Sequence, residues 1–268
     1  MPVLLSGINI YPIKSARGLA QPAWDVDELG LRLDRRWMVV DAAGEFLSQR
    51  TCPRLALACP SLGDDGLTVR APALPELAIP LSPPPGALLP VTVWGALTCG
   101  RPVSADADRW FTALLGTPCR LVYMPDEVVR PVDHTSARAG ERTSFTDGFP
   151  FLLISQGSLD DLNGRLASPL PMNRFRPNLV VSGCAPFAED GWAGFQIGAV
   201  RFRVAKPCAR CVLTTVDQET AEKGVEPLRT LATYRRSAEG QVLFGQNLLH
   251  AGSGRLEVGM TVDLTEDS

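Results

Sequence analysis

Residues 67–93 admit few folds. Their apolar runs are too short for helices, and prolines and glycines interrupt them every few residues, with Ser82-Pro83-Pro84-Pro85-Gly86 as an outright turn or linker. Short strands joined by tight turns remain, the pattern of a small β-rich or barrel-like unit. Much of the chain reads the same way. Residues 3–13, 37–41, 121–124, 149–154, 179–181, 244–249 and 260–264 are predicted strands. Residues 42–45 are a hairpin turn returning along 46–50, and 195–204 form a second hairpin with Gly198 at its turn. Helices are few. Ser104 caps one over 105–115, with Trp110, Phe111, Leu114 and Leu115 on one face and Gly116 ending it. Ser158 opens another in capping-box style, carrying Leu159, Leu162 and Leu166, and Pro227 starts a third with Leu228, Leu231 and Tyr234. The fold class is predominantly β with a few helices (α+β). Residues 131–148 are polar and aperiodic, a loop long enough to be functional.

At 268 residues and 45% hydrophobic content the chain can bury one large core or two modest ones. A net charge of −3 argues against nucleic acid as a partner. There are three lysines, Lys14, Lys206 and Lys223. Seven cysteines with no scaffold spacing point to a reducing compartment. The start of the chain has neither a signal-peptide nor a transit-peptide pattern, and no run of about 18 apolar residues exists to span a membrane. A soluble cytoplasmic protein is expected.

The densest chemistry lies in Lys206-Pro207-Cys208-Ala209-Arg210-Cys211-Val212-Leu213-Thr214-Thr215-Val216-Asp217. The β-branched run after Cys211 predicts a strand, which places Cys211 at a loop-to-strand junction with Arg210 beside it. A nearby cation favours the thiolate, the form that binds metals and attacks electrophiles. Zinc would need two further ligands, yet Cys52, Cys59, Cys99, Cys119 and Cys184 are scattered and His134 and His250 are isolated. A redox pair would open a helix, against the β-branched residues that follow. Two small half-buried residues in a sheet is the third reading, and the residues alone leave the choice open. Lys14-Ser15-Ala16-Arg17-Gly18, at a strand end, can bind an anion through its Lys, its Ser hydroxyl and its backbone N–H groups, or be a solvated turn. Asp34 between Arg32, Arg35 and Arg36 makes a simple ion-pair cluster or holds Arg35 for an anion.

An ordered set of segments carries a resemblance. Tyr11-Pro12-Ile13-Lys14-Ser15 comes first, then Asp34-Arg35-Arg36-Trp37, Gln49-Arg50 and Pro53-Arg54-Leu55. Phe151-Leu152-Leu153-Ile154-Ser155 and Asp161-Leu162-Asn163 follow. Asn173-Arg174-Phe175-Arg176-Pro177-Asn178, Glu189-Asp190 with Trp192, the cysteine stretch and Phe244-Gly245-Gln246-Asn247 complete the series. Together these span nearly the whole chain and resemble the MOSC family, closest to the branch of the bacterial YcbX proteins and the mitochondrial amidoxime-reducing component.

The resemblance implies an N-terminal β-barrel-like domain, residues 1–120, followed by a β-barrel MOSC domain, residues 121–268. It implies a molybdenum cofactor, a pyranopterin whose dithiolene holds the metal, with Cys211 as both catalytic residue and metal ligand. A soft sulfur suits a metal already held by sulfur. Lys14, Ser15 and Arg35 match positions that contact the pterin or its phosphate. Asp147, Gly148 and Phe149 match a cofactor-contacting turn, Arg176 and Asn178 two further contacts, and Ala209 stands where relatives often have Ser. Gly148 and Phe149 replace hydroxyl residues of the mitochondrial branch, so their contacts would use the backbone. Cys184 matches a second recurrent cysteine with a supporting role. The activity implied is reduction of small N-hydroxylated (N–O) compounds, with the metal cycling between Mo(IV) and Mo(VI) and 131–148 as a candidate substrate rim. Without a plant-ferredoxin-type cysteine cluster, electrons are expected from a separate ferredoxin- or flavoprotein-type partner. The alternative is a protein that carries the cofactor or transfers sulfur to it without turnover. Pyridoxal phosphate binding is a further family-level expectation.

Overall fold

The computed structural model describes residues 2–63, 65–132, 136–138 and 140–265. The chain opens with β1 (Leu4–Ile10), β2 (Leu19–Gln21), β3 (Ala23–Asp27), β4 (Gly30–Leu31) and β5 (Trp37–Val40). It continues through β6 (Cys59–Leu62), β7 (Gly66–Arg70), β8 (Leu77–Pro80), β9 (Leu89–Val93) and β10 (Ala96–Pro102) to helix α1 (Ala105–Leu115) and β11 (Arg120–Tyr123). Then come β12 (Phe151–Ser155), α2 (Gln156–Asn163), β13 (Leu179–Ser182), β14 (Gly194–Ile197) and β15 (Val200–Ala209). The one-turn α3 (Leu228–Leu231), β16 (Leu243–Ala251), β17 (Gly254–Glu257) and β18 (Asp263–Thr265) complete it. The architecture is predominantly β with a few helices, as the turn-rich sequence predicts.

Among the described residues four sheets carry the fold. The largest has eight strands in the order β18-β14-β15-β16-β12-β13-β1-β2. A four-stranded sheet, β5-β11-β10-β9, and two three-stranded ones, β17-β3-β4 and β6-β7-β8, complete the set. The chain's beginning is stitched to its later part, because β1 pairs antiparallel with β13 and β3 with β17. At the centre of the large sheet, β12 is buried along its whole length. Phe151 and Leu153 join a core with Leu5, Ile8, Phe195 and Leu248, while Leu152 and Ile154 join another with Leu159, Phe175 and Phe244. An unbroken apolar run is what a strand covered on both faces requires. A third core packs α1, through Phe111 and Leu114, against Trp37, Leu55, Val69 and Leu121. Ser104 caps α1 by accepting from the Ala107 N–H at 3.1 Å, and Gly116 ends it at φ 71°.

Several local expectations are corrected. The segment after Cys211 is not a strand but a 3₁₀ turn, Val212–Thr215. The Thr214 and Thr215 hydroxyls donate to the Cys211 and Val212 carbonyls at 3.0 and 2.8 Å, offering the backbone a local turn that outcompetes β propensity. Cys211 therefore sits where β15 ends and the 3₁₀ turn begins. Helix α2 starts three residues earlier than predicted, because Ser155 rather than Ser158 accepts the capping N–H, at 3.0 Å. The return after the 42–45 turn is a single bridge, Val40 to Phe46, since the chain turns again as the Thr51 and Cys52 N–H groups donate to the Ser48 carbonyl.

Gly245, near the start of β16, lies at φ 82°, and a Cβ there would stand 2.6 Å from both the Leu153 carbonyl oxygen and Ile154 Cγ1. Gly245→Ala is therefore expected to lower unfolding free energy in urea by about 2–4 kcal/mol, adding backbone strain to overpacking against β12. An unchanged denaturation midpoint would contradict this close approach.

Candidate functional site

The ends of β1, β12, β13 and β15 and the chain entering β5 converge on one cleft, enclosing about 740 Å³ of space that is partly open to solvent. All ten sequence-derived candidates line it: Lys14, Ser15, Arg35, Asp147, Gly148, Phe149, Arg176, Asn178, Ala209 and Cys211. Short backbone bonds hold these segments together. The Lys14 N–H donates to the Trp37 carbonyl at 2.7 Å, Arg35 N–H to Tyr11 at 2.8 Å, and Phe145 N–H to Arg35 at 3.0 Å.

Three of the ten sit in left-handed backbone: Ser15 at φ 66°, Arg35 at 49° and Arg176 at 59°. This region disfavours side chains and occurs where surrounding structure enforces it, often at binding sites. Here the enforcing contacts are visible. Asp34 is buried, accepts from the Tyr11 N–H at 2.7 Å and pairs with Arg35. Asn178 accepts from Arg35 at 2.9 Å and donates to the Asn9 carbonyl at 3.2 Å, so its amide serves to position Arg35. The guanidiniums of Arg35 and Arg176 both pack on the Tyr11 ring, at 4.5 and 4.3 Å from its centroid. Gly18 leaves room for that ring, since a Cβ would lie 2.4 Å from Tyr11 Cε1.

Five cations, Lys14, Arg35, Arg50, Arg176 and Arg210, line the cleft, and two carboxylates answer them: Asp34 on Arg35, and Asp147 on Lys14 and Arg50. Arg176 is buried, and its guanidinium donates to a carbonyl, that of Ala16, at 2.6 Å. Burial pulls its pKa down to about 10. Arg210 donates to the Phe175 carbonyl at 2.7 Å, and its buried Nε has no partner. Guanidiniums held in this way fit an anionic ligand such as a phosphate. Burial lowers the Lys14 ammonium to about 8, against the pull of Asp147. The protein packed around Asp147 pushes its carboxyl up, but Lys14 and Arg50 outweigh that and hold it well below the usual carboxylate range. It is therefore ionised near neutrality, an acceptor and not a proton donor.

The two cysteines of the stretch have different partners. Arg210, expected beside Cys211, donates instead to Cys208 Sγ at 3.0 Å. Residues two apart at the end of an extended strand project to the same side, and the chain turns away at Cys211. Arg50 takes the place beside Cys211, its Nε donating to Sγ at 3.1 Å while Nη2 donates to Asp147 at 2.8 Å. In the sequence Arg50 lies inside a matching segment beside Gln49 but has no site role assigned; in the fold the Gln49 amide pairs both ways with Gln218 and donates to the Ser15 carbonyl at 2.7 Å. Arg130 was also missed. It is buried beneath the 144–146 segment, donating to the Ser144 and Thr146 carbonyls at 2.8 and 2.9 Å. Cys184 lies outside the cleft lining, beside Ser155 and Glu189, and burial raises its thiol pKa. Among the described residues no three His, Cys, Asp or Glu side chains cluster as a metal site; His134 lies outside the described residues.

The low Lys14 pKa sets a pH dependence. An anion bound beside the ammonium raises that pKa, so the binding it supports is full below about 8 and lost as the ammonium deprotonates above it. Sulfate, whose charge is constant across this range, is expected to raise the melting temperature of ligand-free protein more at pH 7 than at pH 9. Lys14→Met should abolish the difference. Equal sulfate effects at both pH values would rule out Lys14 as an anion contact.

Comparison with known proteins finds relatives along nearly the whole chain. The model of the MOSC N-terminal beta barrel domain matches residues 3–118, and that of the MOSC domain residues 140–263. Mitochondrial amidoxime-reducing component 1 of Mus musculus is 37% identical over 95% of this chain and 80% of its own length. Mitochondrial amidoxime reducing component 2 of Bos taurus is 36% identical over 86% of this chain and 72% of its own. Molybdenum cofactor sulfurase of Oryza sativa is 33% identical over 90% of this chain, which spans 32% of that longer protein. With both domains matched in order, and relatives of this identity aligned along nearly its whole length, the chain belongs to the MOSC family, in the company of the mitochondrial amidoxime-reducing components.

Proposed function

We propose that the chain is a molybdenum-cofactor enzyme that reduces N-hydroxylated compounds. The observation that carries this reading is the pairing of a soft sulfur, Cys211, with two guanidiniums that have no carboxylate partner among the described residues, Arg176, which is buried, and Arg210, which is half-buried, in one cleft. A pyranopterin bearing a phosphate and a thiophilic metal matches that donor set. Cys211 Sγ would ligate the metal, and Lys14, Ser15, Arg35 and Arg176 would hold the phosphate and pterin. Bound there, the cofactor supplies the two-electron chemistry that cleaves an N–O bond. The balance for an amidoxime is two electrons and two protons consumed, with the amidine and one water released.

The chain's own residues have definable parts in this. Arg50 fixes the orientation of Cys211 through its hydrogen bond to the sulfur, and Asp147 fixes Arg50 in turn. The Asn178 and Tyr11 contacts pre-position Arg35 and Arg176, so little side-chain ordering remains when the anion binds. In this reading the electrons come from a separate ferredoxin- or flavoprotein-type donor. A second reading, a protein that binds and hands on the cofactor without turnover, draws on the similarity to molybdenum cofactor sulfurase.

The test is metal analysis of protein made in a host that synthesises the cofactor, together with benzamidoxime reduction driven by a reduced viologen. Near-stoichiometric molybdenum, falling at least tenfold in Cys211→Ala while the fold persists, and conversion to benzamidine are expected. Molybdenum bound without turnover of any N-hydroxylated compound would favour the carrier. No molybdenum in either protein, when a control molybdoenzyme from the same host is loaded, would overturn both readings.

A further inference from the structure

The hairpin joining β9 to β10 has a two-residue loop, Trp94-Gly95, closed by the Val93–Ala96 pair. Both loop residues have positive φ, 53° and 76°. Such primed turns match the twist of the strands and favour Asn or Gly at the first position, because a larger side chain is strained there. A tryptophan in this place is a local misfit, and nothing in the core requires it, since the residue remains 54% exposed. The ring is nonetheless held in place. The Phe46 ring packs at 5.2 Å, and the Arg50 guanidinium lies over it at 4.6 Å. That guanidinium is the one that donates to Cys211 Sγ at 3.1 Å and to Asp147 at 2.8 Å. Trp94 thus stands just outside the cleft lining, one side chain, that of Arg50, away from the Cys211 sulfur. It is a flat, partly solvated aromatic surface anchored to the residue that orients Cys211.

We infer that Trp94 is a specificity-determining residue, the shelf on which the planar aryl or amidine-bearing part of an N-hydroxylated substrate stacks while its N–OH group enters the cleft. This rests on the reductase reading above. Stacking on an exposed aromatic face discriminates by shape and polarisability, so it favours planar substrates such as benzamidoxime over hydroxylamine, which has nothing to stack. Arg50 beneath the ring makes the shelf rigid, and the bound substituent loses no further side-chain freedom from the protein.

The decisive variant is Trp94→Asn, because asparagine suits the left-handed turn and removes the ring without threatening the fold. In the molybdenum-loaded enzyme with a viologen donor, the ratio of kcat/KM for benzamidoxime to that for hydroxylamine is expected to fall about three- to tenfold. The loss should lie in KM, and Trp94→Phe should recover part of it. Independently of turnover, benzamidoxime added to oxidised enzyme should quench tryptophan fluorescence in the wild type and fail to do so in Trp94→Asn. An unchanged ratio, or equal losses for both substrates as expected if Trp94 served the electron donor instead, would overturn the inference. Should the wild type reduce neither compound, the reductase reading falls, and the quenching comparison alone decides whether Trp94 is a shelf for planar ligands.

Discussion

The cleft depends on the carboxylate of Asp147. It sits on a loop before β12, yet it bonds Lys14 from the turn after β1 and Arg50 from the turn after β5. Three segments distant in sequence are thereby locked into one wall, and through Arg50 the lock extends to Cys211 on a fourth. The same carboxylate divides the charge of the site. It answers Lys14 and Arg50, Asp34 answers Arg35, and Arg176 and Arg210 are left with carbonyl and sulfur partners. A buried guanidinium in that position is costly in an empty protein and favourable beside an anion, which is how a binding site differs from a structural ion-pair cluster.

Around this lock the backbone is held in conformations it would not choose locally. Ser15, Arg35 and Arg176 each occupy left-handed geometry, where glycine would be at ease but would bring no hydroxyl or guanidinium to the cleft. Tyr11 and Asn178 hold two of these residues, one through its ring and the other through its amide. Trp94 repeats the pattern beside Arg50, with a bulky ring on a turn that prefers Asn or Gly. Local propensity is overridden at these positions and obeyed through most of the scaffold, the distribution expected where binding constrains a fold.

Much of the scaffold was legible in the sequence because the relevant physics is local. Ser104 and Gly116 bound α1 at the predicted residues, Gly198 turns its hairpin, and the apolar run predicted as a strand over 149–154 becomes the strand Phe151–Ser155, buried on both faces. Errors came where a side chain changed the local answer. The hydroxyls of Thr214 and Thr215 turned an expected strand into a 3₁₀ turn, and Ser155 captured the cap expected of Ser158. Segments in family order also pointed to ten residues that the fold gathers around one cleft, although most lie far apart in the chain.

Which side chain meets which was decided by tertiary structure. Arg210 is adjacent to Cys211 in sequence, yet strand geometry turns it to Cys208, and the partner of Cys211 is Arg50, 161 residues away. Adjacency along a chain sets backbone conformation, because propensities and capping act within a few residues. Hydrogen bonds at a site are chosen among groups brought together by sheet pairing, here β1 against β13 and β15 against β16. The sequence by itself determined the turn-rich β scaffold and the supply of thiols and cations. Only the packed sheets decided that Arg176, buried, and Arg210, half-buried, would be left without a carboxylate among the described residues, because that depends on where Asp34 and Asp147 are delivered by segments that meet nowhere but in the folded chain.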